Sequence, residues 1–346
     1  MSKKHNHLFP ALLGATALLF AATAYAEDEA REPDEKDAAR QALQQQEGDA
    51  TSEENLEEVF QATEKQYSLL QAGAMSLYFS GDYSYYRNDA IDIDIGENGI
   101  TRFQIENDAQ HSFGASLSFD YGVKNNVTFN TRVPVQYKYD TRRSNQEPVL
   151  GDVSFGLRWQ PFPVRAGGTN TTFYSTLSTA TGDSPYEINP NKDLSGGKGY
   201  YSLGAGASFS KVIDPVVLFA STGYTYAFKA TGLNQRRGQS NRILKKVEAG
   251  DSINFSMGLA YSLSYEVSVS ASYQQSYNFA SKFHFSDGVG KSPDSTSSIV
   301  NTSLGLRTPT NRIVNVSMGF GLTEDSPDVM LGVSMPIDIS GLKPGA

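Results

Sequence analysis

Tyr265-Glu266-Val267-Ser268-Val269-Ser270-Ala271-Ser272-Tyr273-Gln274 alternates apolar and polar residues at every step. A period of two puts Tyr265, Val267, Val269, Ala271 and Tyr273 on one face of a strand and the polar residues on the other. The same pattern precedes it. Ile253, Phe255, Met257, Leu259 and Tyr261 alternate with Asn254, Ser256, Gly258 and Ala260. Earlier still, Val127, Phe129, Val133, Val135 and Tyr137 oppose Thr128, Asn130, Arg132, Gln136 and Lys138. Twelve such runs are expected, at 74–87, 110–122, 126–139, 151–160, 170–181, 199–211, 215–229, 251–262, 264–278, 297–308, 311–322 and 327–338. Each has the roughly 9–11 residues that a tilted strand needs to cross a bilayer.

The connections between the runs decide between architectures. They alternate long and short, with 88–109, 140–150, 182–198, 230–250 and 279–296 long and their successors brief; only 323–326 is short where a long one is due. An even strand number with short turns at one end and long loops at the other is the layout of an outer-membrane barrel. A soluble β-sandwich also alternates, but gives no reason for this pattern of turn lengths. The expected fold class is therefore all-β, a 12-stranded antiparallel transmembrane β-barrel over residues 74–340. A mean hydropathy of −0.40 argues against a helical membrane protein but not against a barrel, where only alternate residues meet lipid.

The two faces differ in chemistry. One carries aromatics toward strand ends, including Tyr121, Tyr139, Trp159, Tyr261, Tyr265 and Tyr277, where amphipathic rings suit the headgroup level. The other is rich in Ser, Thr, Gly and Asn, with charges at Asp82, Asp120, Arg132, Lys138, Asp152, Arg158, Glu266 and Arg307. These eight are expected to face a wet lumen. Gly204, Gly206 and Ser208 look like small inward residues that leave the lumen room.

The N-terminal segment before Ala74 is organised differently. Lys3 and Lys4, the apolar run 8–20 and Ala24-Tyr25-Ala26 form a secretory signal peptide, residues 1–26, so the mature chain is expected to start at Glu27. Residues 27–50 are acidic and poor in large apolar side chains, a mostly disordered or short coiled-coil periplasmic segment. From Thr51 to Gln71 the period becomes helical. Thr51 and Glu54 have capping-box spacing, and Gly73 follows the last turn. Leu56, Val59, Phe60, Tyr67 and Leu70 share one apolar face of this amphipathic helix, whose segment spans 51–73.

Composition narrows the function classes. The chain has no cysteine, so thiolate metal sites and disulfides are excluded. A net charge of −9 speaks against nucleic acid as a partner. His111 and His284 stand without a catalytic motif, so no enzyme, catalytic residue or cofactor is expected. The acidic stretch Asp89, Asp92, Asp94, Glu97 lacks calcium-loop spacing and is expected to form a β-ribbon, so no metal is expected either. Gly196-Gly197-Lys198-Gly199 is no phosphate loop, because it opens a strand rather than a helix. Thr181-Gly182-Asp183-Ser184-Pro185 and Thr323-Glu324-Asp325-Ser326-Pro327 echo one another, which shared turn chemistry suffices to explain.

Certain motifs resemble a family. The stretch 150–157, Thr181-Gly182-Asp183 and Ser326-Pro327-Asp328 look like the outer-membrane transporters of the MetA pathway of phenol degradation. Glu58-Val59-Phe60, Tyr67-Ser68-Leu69-Leu70 and Asp82-Tyr83-Ser84-Tyr85-Tyr86 resemble, within that group, the Fap-type channels that secrete functional-amyloid subunits. The resemblance implies a barrel whose lumen is plugged by the N-terminal α-helical segment, and export of unfolded amyloid chains for biofilm matrix. It also implies a homotrimer, although the coiled-coil segment here is shorter than in that family. The wider family name implies instead an uptake channel for small hydrophobic or aromatic compounds. Outer-membrane lipid is a partner in either case. A twelve-stranded barrel has room for one helix about 10–12 Å across.

Overall fold

The computed structural model describes residues 69–339, apart from 97–98, 141–144, 164–167, 190–192, 214, 238–241 and 311. The signal peptide, the acidic segment and residues 51–68 of the expected helix lie outside the described residues.

The described residues form seventeen strands. They are β1 (Met75–Gly96), β2 (Gly99–Lys124), β3 (Val127–Asp140), β4 (Asn145–Leu150), β5 (Ser154–Trp159), β6 (Thr169–Ser178), β7 (Ser202–Ile213) and β8 (Val216–Ala227). There follow β9 (Ala230–Arg237), β10 (Arg242–Glu248), β11 (Ser252–Ser262), β12 (Val267–Asn278), β13 (Lys282–Phe285), β14 (Gly288–Lys291), β15 (Ser295–Arg307), β16 (Ile313–Gly321) and β17 (Val329–Ile337). Each barrel strand pairs antiparallel with its sequence neighbour in the wall, and β1 pairs with β17 from Leu77↔Ile337 to Tyr85↔Val329, which closes the cylinder. The wall has twelve strands because β4 and β5 lie end to end against β3.

The polarity of this cylinder is inverted relative to a soluble domain. Phe113 and Leu117 are 52% and 47% exposed on the outside, whereas Thr128 and Ser208 are fully buried inside. Alternation produces this directly, since outward positions of one strand align with outward positions of the next, as in Leu77↔Phe119 and Phe79↔Leu117. An eleven-residue strand such as β11, at about 3.3 Å per residue and tilted about 40°, rises roughly 28 Å, close to a bilayer's apolar thickness. Trp159 and Tyr265 stand exposed near the short turns, and Tyr226, Phe228 and Tyr277 near the long loops.

The loops hold more strand than the sequence suggests. The span 88–109, expected as a loop, continues the β1–β2 hairpin with pairs such as Asp89↔Asn107 and Ile91↔Ile105. This is the ribbon expected of its alternating isoleucines. The span 140–150 likewise pairs back on β3 as β4. Loops 228–251 and 279–294 each fold into a hairpin, and together they make a four-stranded sheet in the order β14-β13-β10-β9 beyond the barrel rim.

One expected strand is broken. The run 151–160 begins only at Ser154, because Val135 pairs Leu150 while Arg132 pairs Ser154. Three residues, Gly151, Asp152 and Val153, therefore oppose two on β3, a bulge. It sits opposite Pro134, which has no N–H to give to the ladder, and Gly151 N donates to the Pro134 carbonyl at 3.1 Å.

Candidate functional site

The inward face carries whatever a barrel does with solutes, and its chemistry divides by side. Beneath β8 and β11 the lumen is filled: Val217, Phe219 and Ala260 form a buried apolar cluster. A Cβ on Gly258 would stand 2.5 Å from the Phe219 ring, so that ring lies flat across the glycine. Inward-pointing Val217 and Phe219 depart from the hydroxyl-rich pattern, and only register assigns them to the lumen. The opposite wall is hollow.

A cavity of about 350 Å³ opens there against β1, β2, β3, β5 and β6. Three adjacent strands bring its charges together. Arg158 on β5 pairs with Asp120 on β2 at 3.0 Å, both side chains under a tenth exposed, and Asn130 on the intervening β3 donates to Asp120 at 2.5 Å. Arg132, one inward position along, donates from Nε to Ser116 Oγ at 3.2 Å. A second cavity of about 380 Å³ lies toward the long loops. Arg132 and Thr176 line both, so Arg132 stands where one hollow passes into the next.

The small residues of β7 and β8 do something other than leave space. Tyr174 crosses the wall, and Cβ atoms on Gly206 and Gly223 would each stand 2.5 Å from its ring or hydroxyl. The two glycines thus form a slot in which Tyr174 lies flat, its hydroxyl donating to the Thr222 carbonyl at 3.3 Å. Nothing in the local pattern of Gly204, Gly206 and Ser208 shows this.

Two segments enter the lumen, one from each end. At the short-turn mouth, residues 69–74 form a strap against the inner wall. Leu70 N donates to Thr128 Oγ1 at 2.9 Å, Ala72 N to Asn125 Oδ1 at 2.9 Å, and Gly73 N to the Gly122 carbonyl at 2.7 Å. Gly73, at φ +79°, makes the reversal into β1 in a conformation that favours glycine. Residues 69–71 are not helical, so the end of the expected helix at Gln71 is corrected to irregular chain. Leu70 is the one member of the expected plug face that is described; Leu56, Val59, Phe60 and Tyr67 are not.

At the other mouth, the loop 179–201 turns inward, and its Gly196 and Lys198 line the second cavity. Asp152 holds it by accepting Gly182 N at 3.0 Å and Lys198 N at 2.7 Å, while Lys138 Nζ donates to the Ser195 carbonyl at 2.7 Å. From beyond the rim, buried Gln235 on β9 donates to the carbonyls of Pro185 and Ile188 at 3.0 and 2.6 Å. The loop therefore joins the barrel wall to the outer sheet.

The eight charges expected to face the lumen thus have different occupations. Asp120, Arg132 and Arg158 gather at the first cavity, whereas Asp152 and Lys138 are committed to the inward loop. Asp82 covers Gly114 on β2. Glu266 and Arg307 sit at the short-turn rim: Arg307 stacks on the Tyr265 ring at 4.4 Å and donates to its carbonyl at 3.1 Å. Lys198, outside the eight expected charges, also lines the second cavity, because the glycines flanking it belong to the inward loop and not to a strand. His111 belongs to an aromatic cluster with Tyr83, Tyr85 and Tyr139, and its Nδ1 is 2.9 Å from the Tyr83 hydroxyl.

The echoed pentapeptides share a rim geometry. Thr181 and Thr323 accept the backbone N–H of Val153 and Ser298, while Asp183 and Asp325 accept those of Leu150 and Thr296. Shared turn chemistry here means capping the unpaired amides where a strand leaves the wall.

No family model matches the chain. Among solved structures, it is similar to the COG4313 outer membrane channel from Pseudomonas putida F1, with 10% identity, 78% of this chain and 97% of that chain covered, and a TM-score of 0.58. It is also similar to the translocator domain of the autotransporter NalP from Neisseria meningitidis, with 7% identity, 88% and 98% covered, and a TM-score of 0.50. At these identities the likeness is one of fold: a closed antiparallel barrel of the outer-membrane kind.

Proposed function

We propose that this chain is an outer-membrane channel, with its short turns in the periplasm, whose passage is controlled by the segment preceding β1. The observation that carries this reading is the strap: three backbone donors within four residues, from Leu70, Ala72 and Gly73, are bound by β3, the β2–β3 turn and β2, so the chain before β1 is led to the mouth from inside. A helix over 51–68 placed there, with Leu56, Val59, Phe60 and Tyr67 toward the wall, would act as the gate. The lumen lining of hydroxyls and the Asp120–Arg158 pair suits water-borne cargo, and the Fap-type resemblance supplies unfolded amyloid subunits as that cargo. Of the eight charges expected in the lumen, Asp120, Arg132 and Arg158 set ion preference and Asp152 and Lys138 hold the inward loop.

A second reading has its own observation. At the bulge 151–153 the regular β3–β5 register is interrupted, with only single bonds such as Gly151 N to the Pro134 carbonyl across it, and β4 pairs with β3 alone. A weak place in the wall favours sideways release into lipid, as uptake of small hydrophobic or aromatic compounds requires. Deleting residues 51–72 and recording single channels in planar bilayers tests the gate; unchanged conductance would remove it. A secretion assay for extracellular amyloid, run beside uptake of a small aromatic hydrocarbon in cells with and without the gene, separates the cargoes.

A further inference from the structure

The charge of this chain is unevenly placed. Overall it is −9, yet loops 228–251 and 279–294 carry eight Lys and Arg side chains against four carboxylates. These loops build the four-stranded sheet above the aromatic rim. On its flank lies a cavity of about 280 Å³, whose lining includes Tyr226, Phe279, Lys229, Lys282, Glu248 and Asp251. Tyr226 and Phe279 are 45% and 42% exposed and belong to the outward belt, so the cavity opens where that belt ends. Each ring packs edge-on with an exposed neighbour, Tyr226 with Phe228 at 5.1 Å and Tyr277 with Phe279 at 5.1 Å.

The cations are arranged with a surplus. Glu248 accepts Lys246 Nζ at 2.6 Å and Lys229 Nζ at 3.2 Å, and His284 Nε2 stands 3.7 Å away. Glu248 is thus shared by two ammonium groups, while Asp251 accepts Ala227 N at 2.9 Å and the Tyr224 hydroxyl, which leaves Lys229, Lys246 and Lys282 against two carboxylates. Lys282 lies opposite Glu248 in the β10–β13 register and beside Lys291 in the β13–β14 register, and it is exposed. Apolar rings below, a small surplus of cations above and an open hollow of about 280 Å³ match an amphiphile with an anionic head.

We propose that this notch binds the phosphorylated headgroup of an outer-leaflet glycolipid, with Lys229 and Lys282 contacting phosphate and Tyr226 and Phe279 contacting the first carbons of the acyl chains. The proposal rests on the outer-membrane reading given above, since it needs the long loops to face the outer leaflet. A free phosphate would use the lysines but not the rings.

The test uses the full chain purified in detergent and titrated with diphosphoryl lipid A by native mass spectrometry. Wild type should bind at least ten times more tightly than the Lys229→Gln/Lys282→Gln variant, and more weakly as ionic strength rises. Glu248→Gln, which removes one competing carboxylate, should bind several times more tightly than wild type. Equal affinity in the double variant, with its barrel still resistant to denaturation without heating, would overturn the proposal. So would complete displacement of lipid A by millimolar inorganic phosphate. Recovery of the chain in the outer-membrane fraction is scored separately, so failure of the lipid site and failure of the membrane reading give different results.

Discussion

Gly122→Ala tests the strap most directly. Gly122 is the inward residue at the end of β2 over which residues 70–71 pass. A Cβ there would stand 2.8 Å from the Gln71 carbonyl carbon and 2.9 Å from the Leu70 carbonyl oxygen, and nearer still to the Gln71 oxygen. Backbone on both sides leaves neither partner free to move, so the strap must lift. Lifting breaks the bonds from Leu70, Ala72 and Gly73, at roughly 0.5–1.5 kcal/mol each and about 1.5–4.5 kcal/mol together. At about 1.4 kcal/mol per factor of ten, strap occupancy falls on the order of 10-fold to 10³-fold. Planar-bilayer recordings should then show longer and larger openings than wild type, and protease should cut near residue 70 more readily. Thr128→Val, which removes one acceptor, should show about a third of the effect. A Gly122→Ala channel with wild-type openings and wild-type protease resistance would refute the assignment of the strap as a seat for the gate.

Four other outcomes are expected. Asp152→Ala removes the acceptor of two backbone amides, each hydrogen bond to a charged group contributing about 1.5–3 kcal/mol, so loop 179–201 should become cleavable and current noise should rise. Gly206→Ala pushes against the Tyr174 ring and should cost about 1–3 kcal/mol, read as a lower temperature for the loss of the compact band in electrophoresis. Asp120→Asn removes the carboxylate that pairs with Arg158 and leaves Arg132 and Arg158 as the charges lining the first cavity, so the reversal potential in a salt gradient should move toward anion preference. Glu248, hydrogen-bonded first by Lys246 and then by Lys229, is held down from 4.5 to about 2. A depressed acid contributes stability above its unfolded value and loses it as pH falls. Amides of β10 and β13 should therefore exchange faster as pH drops from about 4.5 toward 2, after correction for intrinsic rates, and Glu248→Gln should abolish that dependence.

The parts of this barrel that were legible are those written at short range. Alternation along 265–274 needs only neighbouring residues, and it places Val267 and Val269 outward with Ser268 and Ser270 inward, as the register with β15 requires. The connection lengths then order the strands. What escaped depends on chain segments far apart. Tyr174 and its slot involve three strands, and Asp152 meets loop amides 30 and 46 residues away. The alternating isoleucines at 91–95 mark the ribbon within the span 88–109, but not that it continues β1 and β2 without a break. Once outside the apolar belt, β1 and β2 still satisfy their amides by pairing with each other. The break at 151–153 is visible only when Pro134 is placed opposite it.

The closing seam orders events during biogenesis. β1 and β17 meet through pairs such as Leu77↔Ile337, the most distant partners along the chain, whereas the strap binds Thr128 only 58 residues from Leu70. Contacts closer in sequence form at lower entropic cost and therefore earlier. The strap is thus expected to settle on the growing sheet of β1, β2 and β3 while that sheet is still an open, curved surface. The last strand then wraps a compartment that already has its occupant. A segment installed this way need not find its way in through a finished pore, and a copy supplied separately as a peptide should fail to occupy a barrel that closed without it.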